Sequence, residues 1–306
     1  MSLKAEKIWF NGKLVDWEQA NVHILTHTLH YGLGVFEGIR CYKTVNGKTA
    51  VFKLREHVER LFNSAHIVEM KIPFSQEEIF NAILETVKVN KIGDGYIRPI
   101  AFVGNAGIGL YVKEYPVITS IIAVPFGKYL GEEGIEKGIK VKTSSFTRHG
   151  VNTSMTRAKI CGAYINSILA KKEAVENGYD EALMLDQTGF VCEASGENLF
   201  ILKNNIFYTP PKISILPGIT RDTVMEIIKE EGYDVREYPL TRDDIYIADE
   251  AFFCGTAAEI TPIREVDGRI IGEGKAGKLT KYLQKTFFEY AKCENDKHKE
   301  WLSFVE

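Results

Sequence analysis

The sequence predicts an α+β fold in two domains, and three observations predict it. Short β-rich segments are joined by tight-turn dipeptides, amphipathic helical stretches interrupt them without a strand–helix–strand rhythm, and one glycine-rich stretch of weak periodicity divides the chain. Asn11-Gly12 and Asn46-Gly47 tolerate the positive φ angles of hairpin turns, so residues 8–22 and 39–53 are expected as two hairpins. From Arg55 to Met70 the apolar residues Val58, Leu61, Phe62 and Ala65 recur at helical spacing. Ser75 and Glu78 form a capping box ahead of Ile79, Ile83, Leu84 and Val87. Strands return over Tyr96–Val103 and Val117–Pro125. The glycine-rich stretch that follows sets the expected boundaries: a small N-terminal α+β domain over 1–124, an interdomain loop over 125–136 and a large C-terminal domain over 137–306. In that second half Lys159–Glu176 reads as a helix carrying Tyr164, Ile165, Ile168, Leu169 and Lys172 in its pattern, and 181–209 reads as a β-meander. A helix runs from Ile219 to Glu231 and stops at Gly232, and a last helix carries Leu279, Tyr282, Leu283 and Phe287 on one stripe.

Composition narrows the function classes. The 306 residues are 45% hydrophobic, enough for a real core, and carry a net charge of −3. No basic excess exists to hold a polyphosphate backbone, so nucleic acid is not an expected partner. The five cysteines are odd in number, scattered and without a Cys-x-x-Cys pair, which points to a reducing compartment and to no thiolate metal cluster. The opening residues are mixed in charge with no apolar signal core, and the most apolar run is about half a membrane span. A cytoplasmic protein with no membrane association is the expectation.

Several motifs look chemical without being so. Gly272-Glu-Gly-Lys-Ala-Gly-Lys278 nearly matches a phosphate-binding loop, but Leu279 stands where a hydroxyl must follow the lysine; a plain turn into a helix is the expectation. Gly32-Leu-Gly34-Val-Phe-Glu-Gly38 has one residue too many for a dinucleotide loop. His23, His27 and His30 lack a carboxylate or cysteine partner, so structural roles are favoured and no metal is expected.

Three other features point to one cofactor. Lys159 lies among small and apolar residues, either snorkelling at a helix start or serving as a desolvated nucleophilic amine. Glu193 interrupts an apolar strand, either as a strand-end glutamate facing water or as a carboxylate that keeps a pyridine nitrogen protonated. Leu216-Pro-Gly218-Ile219-Thr220-Arg221 opens a helix with bare backbone, amides and a hydroxyl suited to phosphate, and Gly255-Thr256-Ala257 offers a second anion-holding turn. Together the three imply pyridoxal 5′-phosphate.

The same residues carry a family likeness. Trp9-Phe-Asn-Gly12, Leu29-His-Tyr-Gly32, Val35-Phe-Glu-Gly-Ile-Arg40, Arg55-Glu-His57, Arg60-Leu61, Tyr96-Ile-Arg-Pro99, Gly196-Glu-Asn-Leu-Phe200, Leu216 to Arg221 and Gly255 to Pro262 follow in order through nearly the whole chain. In these the sequence resembles the branched-chain amino-acid aminotransferases, fold-type IV pyridoxal-phosphate enzymes. Phe36-Glu-Gly-Ile-Arg40 resembles them rather than the D-amino-acid aminotransferases. The resemblance implies a C-terminal domain with a barrel-like antiparallel sheet. It implies that Lys159 holds the cofactor covalently and moves the proton, that Glu193 pairs with the ring nitrogen and Tyr164 with the ring hydroxyl, and that Arg60, Ile219, Thr220 and Thr256 hold the phosphate. It further implies that Tyr96, Thr256 and Ala257 receive the substrate α-carboxylate, and that Phe36, Gly38, Tyr129 and Tyr164 line the side-chain pocket. Tyr31 and Leu110 would come from a neighbouring subunit of a homodimer, with a trimer of dimers as the larger alternative. Arg98, with Arg40, would hold the distal carboxylate of 2-oxoglutarate; from the residues alone Arg98 reads equally as an exposed strand arginine.

The stretch before Lys159 lacks the prolines common in the family, Ala163 replaces a frequent asparagine and Phe126 a frequent tryptophan. None of these removes an expected catalytic group. The expected activity is ping-pong transamination of leucine, isoleucine and valine with 2-oxoglutarate, the partners being small amino acids and 2-oxoacids. The alternatives are a D-amino-acid aminotransferase or aminodeoxychorismate lyase on the same scaffold, or a non-catalytic phosphate-ligand module.

Overall fold

Hairpin turns build the first half of the chain. In the computed structural model, which describes residues 4–306, Asn11 and Gly12 take φ of 51° and 95° between strands Lys7–Phe10 and Lys13–Asp16. Asparagine and glycine adopt such angles at little cost. The structure separates into two units: residues up to Gly127 with Ala158–Ala163 and Glu289–Glu306, and Lys128–Arg157 with Tyr164–Phe288. Two later pieces therefore join the N-terminal unit from far along the chain.

The first unit is an antiparallel sheet in the order Leu302–Phe304, Thr49–Phe52, Ile39–Lys43, Gly95–Val103, Val117–Pro125, Lys7–Phe10, Lys13–Asp16. Strand Gly34–Phe36 pairs with the upper part of Gly95–Val103 and Ile39–Lys43 with its lower part. Pro99 sits at the break between them. It has no N–H to give, so pairing lapses there and Glu37 N–H donates to Pro99 O at 2.9 Å. This interruption leaves Glu37 and Gly38 free of regular strand geometry. Helices Leu54–Ile67 and Gln76–Val89, the latter with the expected Ser75–Glu78 capping box, bury Val58, Leu61, Ile79 and Ile83 against Trp9, Ile39, Ile97 and Ile121.

In the second unit six strands close on themselves. Val191–Ala194, Glu181–Leu185, Ile139–Thr143, Glu259–Val266, Glu250–Gly255 and Asn198–Lys203 follow one another, and Asn198 pairs back to Glu193. The ring is the expected barrel-like sheet. Four of its pairings are antiparallel, but Ile139–Thr143 runs parallel to both its neighbours. A parallel neighbour requires a crossover, and helix Tyr164–Glu176 lies on that route, packed on Glu181–Leu185. Val141, Leu183, Leu199, Ile201, Phe253 and Ile263 belong to this unit's buried core.

That helix corrects two expectations. It begins at Tyr164, after a short 3-10 turn over Cys161–Ala163, so Lys159 is not helical. Its buried face is Ser167, Ala170 and Ala174, whereas Ile165 and Ile168 are 64% and 61% exposed. Small residues let the helix lie close on Ala182 and Met184, and the branched side chains that defined the sequence pattern point outward.

The phosphate-loop look-alike is also explained. Gly272–Lys278 is a turn ahead of helix Lys278–Ala291, and Glu250 fills the anion position itself: Leu279 and Thr280 N–H donate to its carboxylate at 3.1 and 2.8 Å, and the Thr280 hydroxyl at 2.7 Å. A Cβ on Gly277 would fall 1.9 Å from the Glu250 carboxyl carbon. The three histidines each bond to backbone: His23 Nδ1 accepts from Leu25 N–H, while His27 and His30 meet the carbonyls of Gly109 and Ile24. All five cysteines are free thiols; burial pushes Cys41 and Cys192 up to about 12, which leaves them unreactive. Among the described residues no helix is long and apolar enough to cross a membrane.

Because Glu250 acts as a side-chain cap on the last helix, Glu250→Ala should destabilise the protein by about 1 kcal/mol. Thermal unfolding measures this, and an unchanged midpoint would show that the cap contributes nothing.

Candidate active site

In the first unit a buried carboxylate organises the expected cationic residues. Glu37 is fully buried between the two short strands. Arg60 Nε and Nη2 donate to its two oxygens at 2.7 and 2.8 Å, and His57 Nδ1 lies 2.7 Å away. Burial acts to raise the Glu37 pKa, but Arg60 and His57 outweigh it and hold the carboxyl well below the ordinary range. Burial holds His57 below its ordinary value despite the Glu37 hydrogen bond. Arg60 thus supplies the compensating charge while neutral His57 donates its Nδ1–H. The Glu37 fork also fixes the rotamer of Arg60, the expected phosphate ligand.

Lys159 reaches this unit through its backbone. Its N–H donates to Ser64 Oγ at 3.1 Å, its carbonyl accepts from Phe36 N–H at 3.1 Å, and Gly162 N–H donates to Gly32 O at 3.1 Å. The segment is laid along Gly34–Phe36 like an extra strand, with Ile160 bridged to Val35. Gly32 makes this approach possible: at φ 74° a Cβ there would stand 2.8 Å from Gly162 Cα. The Lys159 Nζ lies 5.0 Å from the centroid of the Phe36 ring.

The same ring meets Arg98, whose guanidinium carbon is 4.5 Å from the Phe36 centroid and 5.2 Å from that of Tyr96. Arg98 Nη2 donates to the Tyr96 hydroxyl at 2.8 Å, and its Nε is buried without a partner. Gly38 is obligatory beside them, since a Cβ there would lie 2.0 Å from the Tyr96 hydroxyl. Phe36, Gly38, Tyr96 and Arg98 are therefore one cluster. Arg40 is engaged differently: its Nη1 and Nη2 donate to the carbonyls of Phe126 and Gly127, both at 2.9 Å. Tyr31 and Leu110 lie close on the surface, the Tyr31 hydroxyl accepting from Gly109 N–H at 3.2 Å, and Leu110 is 86% exposed.

In the second unit the centre is Glu193, buried in strand Val191–Ala194. Arg148 Nε donates to Oε1 at 2.6 Å, and Asn198 Nδ2 and Leu216 N–H donate to Oε2 at 3.1 and 3.2 Å. Burial opposes the Arg148 charge, but Glu193 more than offsets it and holds the guanidinium above its ordinary value. Gly218 caps helix Ile219–Glu230, and Thr220 is buried in its first turn. Thr256 and Ala257 form the turn between Glu250–Gly255 and Glu259–Val266, and Tyr164 opens its own helix. Tyr129 is exposed, with Lys171 Nζ 5.8 Å from its ring centroid.

A phosphorylated pyridine needs an ionised carboxylate for its nitrogen and a bare helix start for its phosphate. Glu193 with Arg148 provides the first. Gly218, whose Cβ would lie 2.0 Å from Asn198 Oδ1, provides the second, so the residues fit the group. Sequence reasoning missed Glu37, His57, Arg148 and Asn198. Three of the four sit inside or beside blocks that carry the family likeness, but Arg148 has no local signal.

Below the Glu193–Asn198 turn lies a second acid pair. Glu181 is fully buried and paired with Lys171 Nζ at 2.6 Å. Glu197 accepts from the Gly196 N–H at 3.1 Å, and burial together with the Glu181 charge pushes it up to about 8, against the opposing pull of Lys171. From the ordinary carboxyl pKa up to about 8 the folded protein keeps a proton that the unfolded chain has released, so stability is lost across that window as pH rises. Glu197→Gln is neutral throughout, and its stability relative to wild type should increase between about pH 5 and pH 8 in urea unfolding. A constant difference across that range would show that Glu197 does not titrate there.

Comparison with known proteins agrees with this geometry. The amino-transferase class IV family matches residues 34–266. A branched-chain-amino-acid aminotransferase of Pseudomonas aeruginosa is 53% identical over 298 residues, 97% of each chain. That of Escherichia coli K12 is 45% identical over 304 residues, 99% of this chain and 98% of its own. A crystal structure of the Escherichia coli branched-chain amino acid aminotransferase superposes with a TM-score of 0.97 at 45% identity, over 99% of this chain and all of that one. Crystal structures of a thermophile's branched-chain amino acid aminotransferase with pyridoxamine 5′-phosphate, N-(5′-phosphopyridoxyl)-L-glutamate and 4-methylvaleric acid match over the full length of both chains. Their TM-scores are 0.97, 0.94 and 0.94, at 44%, 42% and 42% identity. With the family match spanning most of the sequence and the relatives aligned end to end, the chain belongs to the class IV aminotransferases.

Proposed function

We propose that this protein transfers the amino group of L-leucine, L-isoleucine and L-valine to 2-oxoglutarate by a ping-pong mechanism with pyridoxal 5′-phosphate, giving branched 2-oxoacids and L-glutamate. The observation that carries the reading is the full-length likeness, at 45–53% identity, to curated branched-chain aminotransferases. The solved relatives that hold a phosphopyridoxyl glutamate and a branched aliphatic acid support both substrate polarities. The same scaffold serving D-amino acids or aminodeoxychorismate is the alternative, and it is separated by kinetics with single enantiomers.

When bound, pyridoxal 5′-phosphate supplies an aldehyde that condenses with amines and a protonated ring that withdraws electrons from the substrate Cα. In this reading the Lys159 Nζ holds the cofactor, is displaced by the substrate amine and then carries the proton between Cα and C4′. Glu193 keeps the ring nitrogen protonated, and Arg148 keeps Glu193 charged. Arg60, Leu216, Gly218, Ile219, Thr220 and Thr256 hold the phosphate, and Tyr164 the ring hydroxyl. Tyr96, Thr256 and Ala257 orient the α-carboxylate. Phe36, Gly38, Tyr129 and Tyr164 exclude water from the aliphatic side chain, whose burial supplies roughly 1.5–3 kcal/mol. A glutamate carboxylate in the same space needs a partner, because an unpaired buried charge costs several kcal/mol. Arg98, assisted by Arg40, meets it. The exposed pair Tyr31 and Leu110 supports a homodimer as the active unit, extensible to a trimer of dimers, and a cytoplasmic location completes the reading.

Lys159→Ala should abolish turnover while cofactor still binds through its phosphate contacts; near-normal turnover, or borohydride fixing the cofactor to another lysine, sinks the assignment. Arg98→Ala should slow the half-reactions with glutamate and 2-oxoglutarate at least about tenfold more than those with leucine, read from the cofactor absorbance. Equal losses would place the acceptor carboxylate elsewhere.

A further inference from the structure

Among the residues around Glu193, one has no assigned role and touches the most functional pieces. Asn198 begins strand Asn198–Lys203, paired in register with Glu193 on one side and with Cys254, two residues before Thr256, on the other. It is 5% exposed. Its Nδ2 donates twice: to Glu193 Oε2 at 3.1 Å and to Leu216 O at 3.2 Å. Its Oδ1 occupies the space that a Cβ of residue 218 would need, 2.0 Å from that position. Leu216 returns the connection, because its own N–H donates to the same Glu193 carboxylate.

One amide therefore ties the ring-nitrogen carboxylate to the entry of the phosphate-seat helix. The distance between those two anchors must match the cofactor's length from ring nitrogen to phosphate. A carboxylate on a strand and a helix N-terminus after a loop have no other reason to keep a fixed spacing. A side-chain amide suits the task, since its two N–H groups are directed apart and can bond two acceptors at once. An aspartate of the same shape would donate nothing and would set a second negative charge against Glu193.

We propose that Asn198 is a positioning residue that sets the spacing between Glu193 and the Leu216–Thr220 phosphate seat, and that Gly218 is glycine because Asn198 needs its space. The proposal rests on the reading of those residues as pyridoxal 5′-phosphate contacts. Asn198 acts on the cofactor only through Glu193 and Leu216.

The test compares wild type, Asn198→Ala, Asn198→Asp and Gly218→Ala as apo-proteins titrated with pyridoxal 5′-phosphate and, separately, with phosphate-free pyridoxal, followed by tryptophan fluorescence. Asn198→Ala should bind pyridoxal 5′-phosphate about tenfold or more weakly while its pyridoxal affinity falls less, because one of the two anchors is then unused. Gly218→Ala should reproduce that pattern, and the double variant should add nothing to either single one. Asn198→Asp should lose more than Asn198→Ala, and it carries the test if the alanine variant does not fold. In the reconstituted enzymes, the effect of Asn198→Ala on the leucine half-reaction should largely vanish in a Glu193→Gln background. Unchanged pyridoxal 5′-phosphate affinity in both Asn198 variants, or losses that add fully to those of Glu193→Gln and Gly218→Ala, would overturn the proposal. A wild-type apo-protein that binds no pyridoxal 5′-phosphate would instead overturn the proposed function, and the positioning role with it.

Discussion

A carboxylate leaves water only where donors replace its hydration, and that requirement shapes both units of this protein. Glu37 is surrounded by Arg60, His57 and the Gly38 amide. Glu193 is surrounded by Arg148, Asn198 and the Leu216 amide. In each case the donors come from distant segments, so the buried charge fixes how those segments meet. Removing one partner from such a set is costly, since the remaining charge stays in low dielectric without compensation. The donors are therefore held as firmly as the carboxylate.

The two clusters differ in what they leave to chemistry. Glu37 serves to hold an arginine, while in the proposed reading Glu193 is itself the working group, held by an arginine. Glu181 and Glu197 show the limiting case, in which two acids share the single cation Lys171 and the less well-served one keeps a proton. Supply of buried donors, rather than residue type, decides which acid is ionised at neutral pH.

Much of this was legible in the sequence. The hairpins followed from Asn-Gly turns, the second helix from Ser75 and Glu78, and the phosphate-seat helix from Leu216-Pro-Gly218. Lys159 and Glu193 stood out because long charged groups rarely sit among small apolar ones. What stayed hidden is non-local. Arg148 is one arginine among many until the barrel brings it to Glu193, 45 residues away. The orientation of helix Tyr164–Glu176 defeated periodicity, because an alanine face packs as well as a branched one when the backbones lie close. The segment around Lys159 looked helical by spacing, yet its backbone bonds go to Phe36 and Ser64. The parallel pairings of Ile139–Thr143 depend on chain order rather than on any local pattern.

The closeness of Gly38 to Tyr96 has a consequence for how this scaffold can diversify. Any side chain at position 38 must first expel a hydroxyl that also bonds Arg98, so enlarging that wall would disturb the arginine at the same moment. One wall of the pocket is thereby frozen by its neighbour's polarity. New substrate preferences on this framework must arise from the other walls, or from paired changes at positions 38 and 96 that no single-residue path crosses without loss.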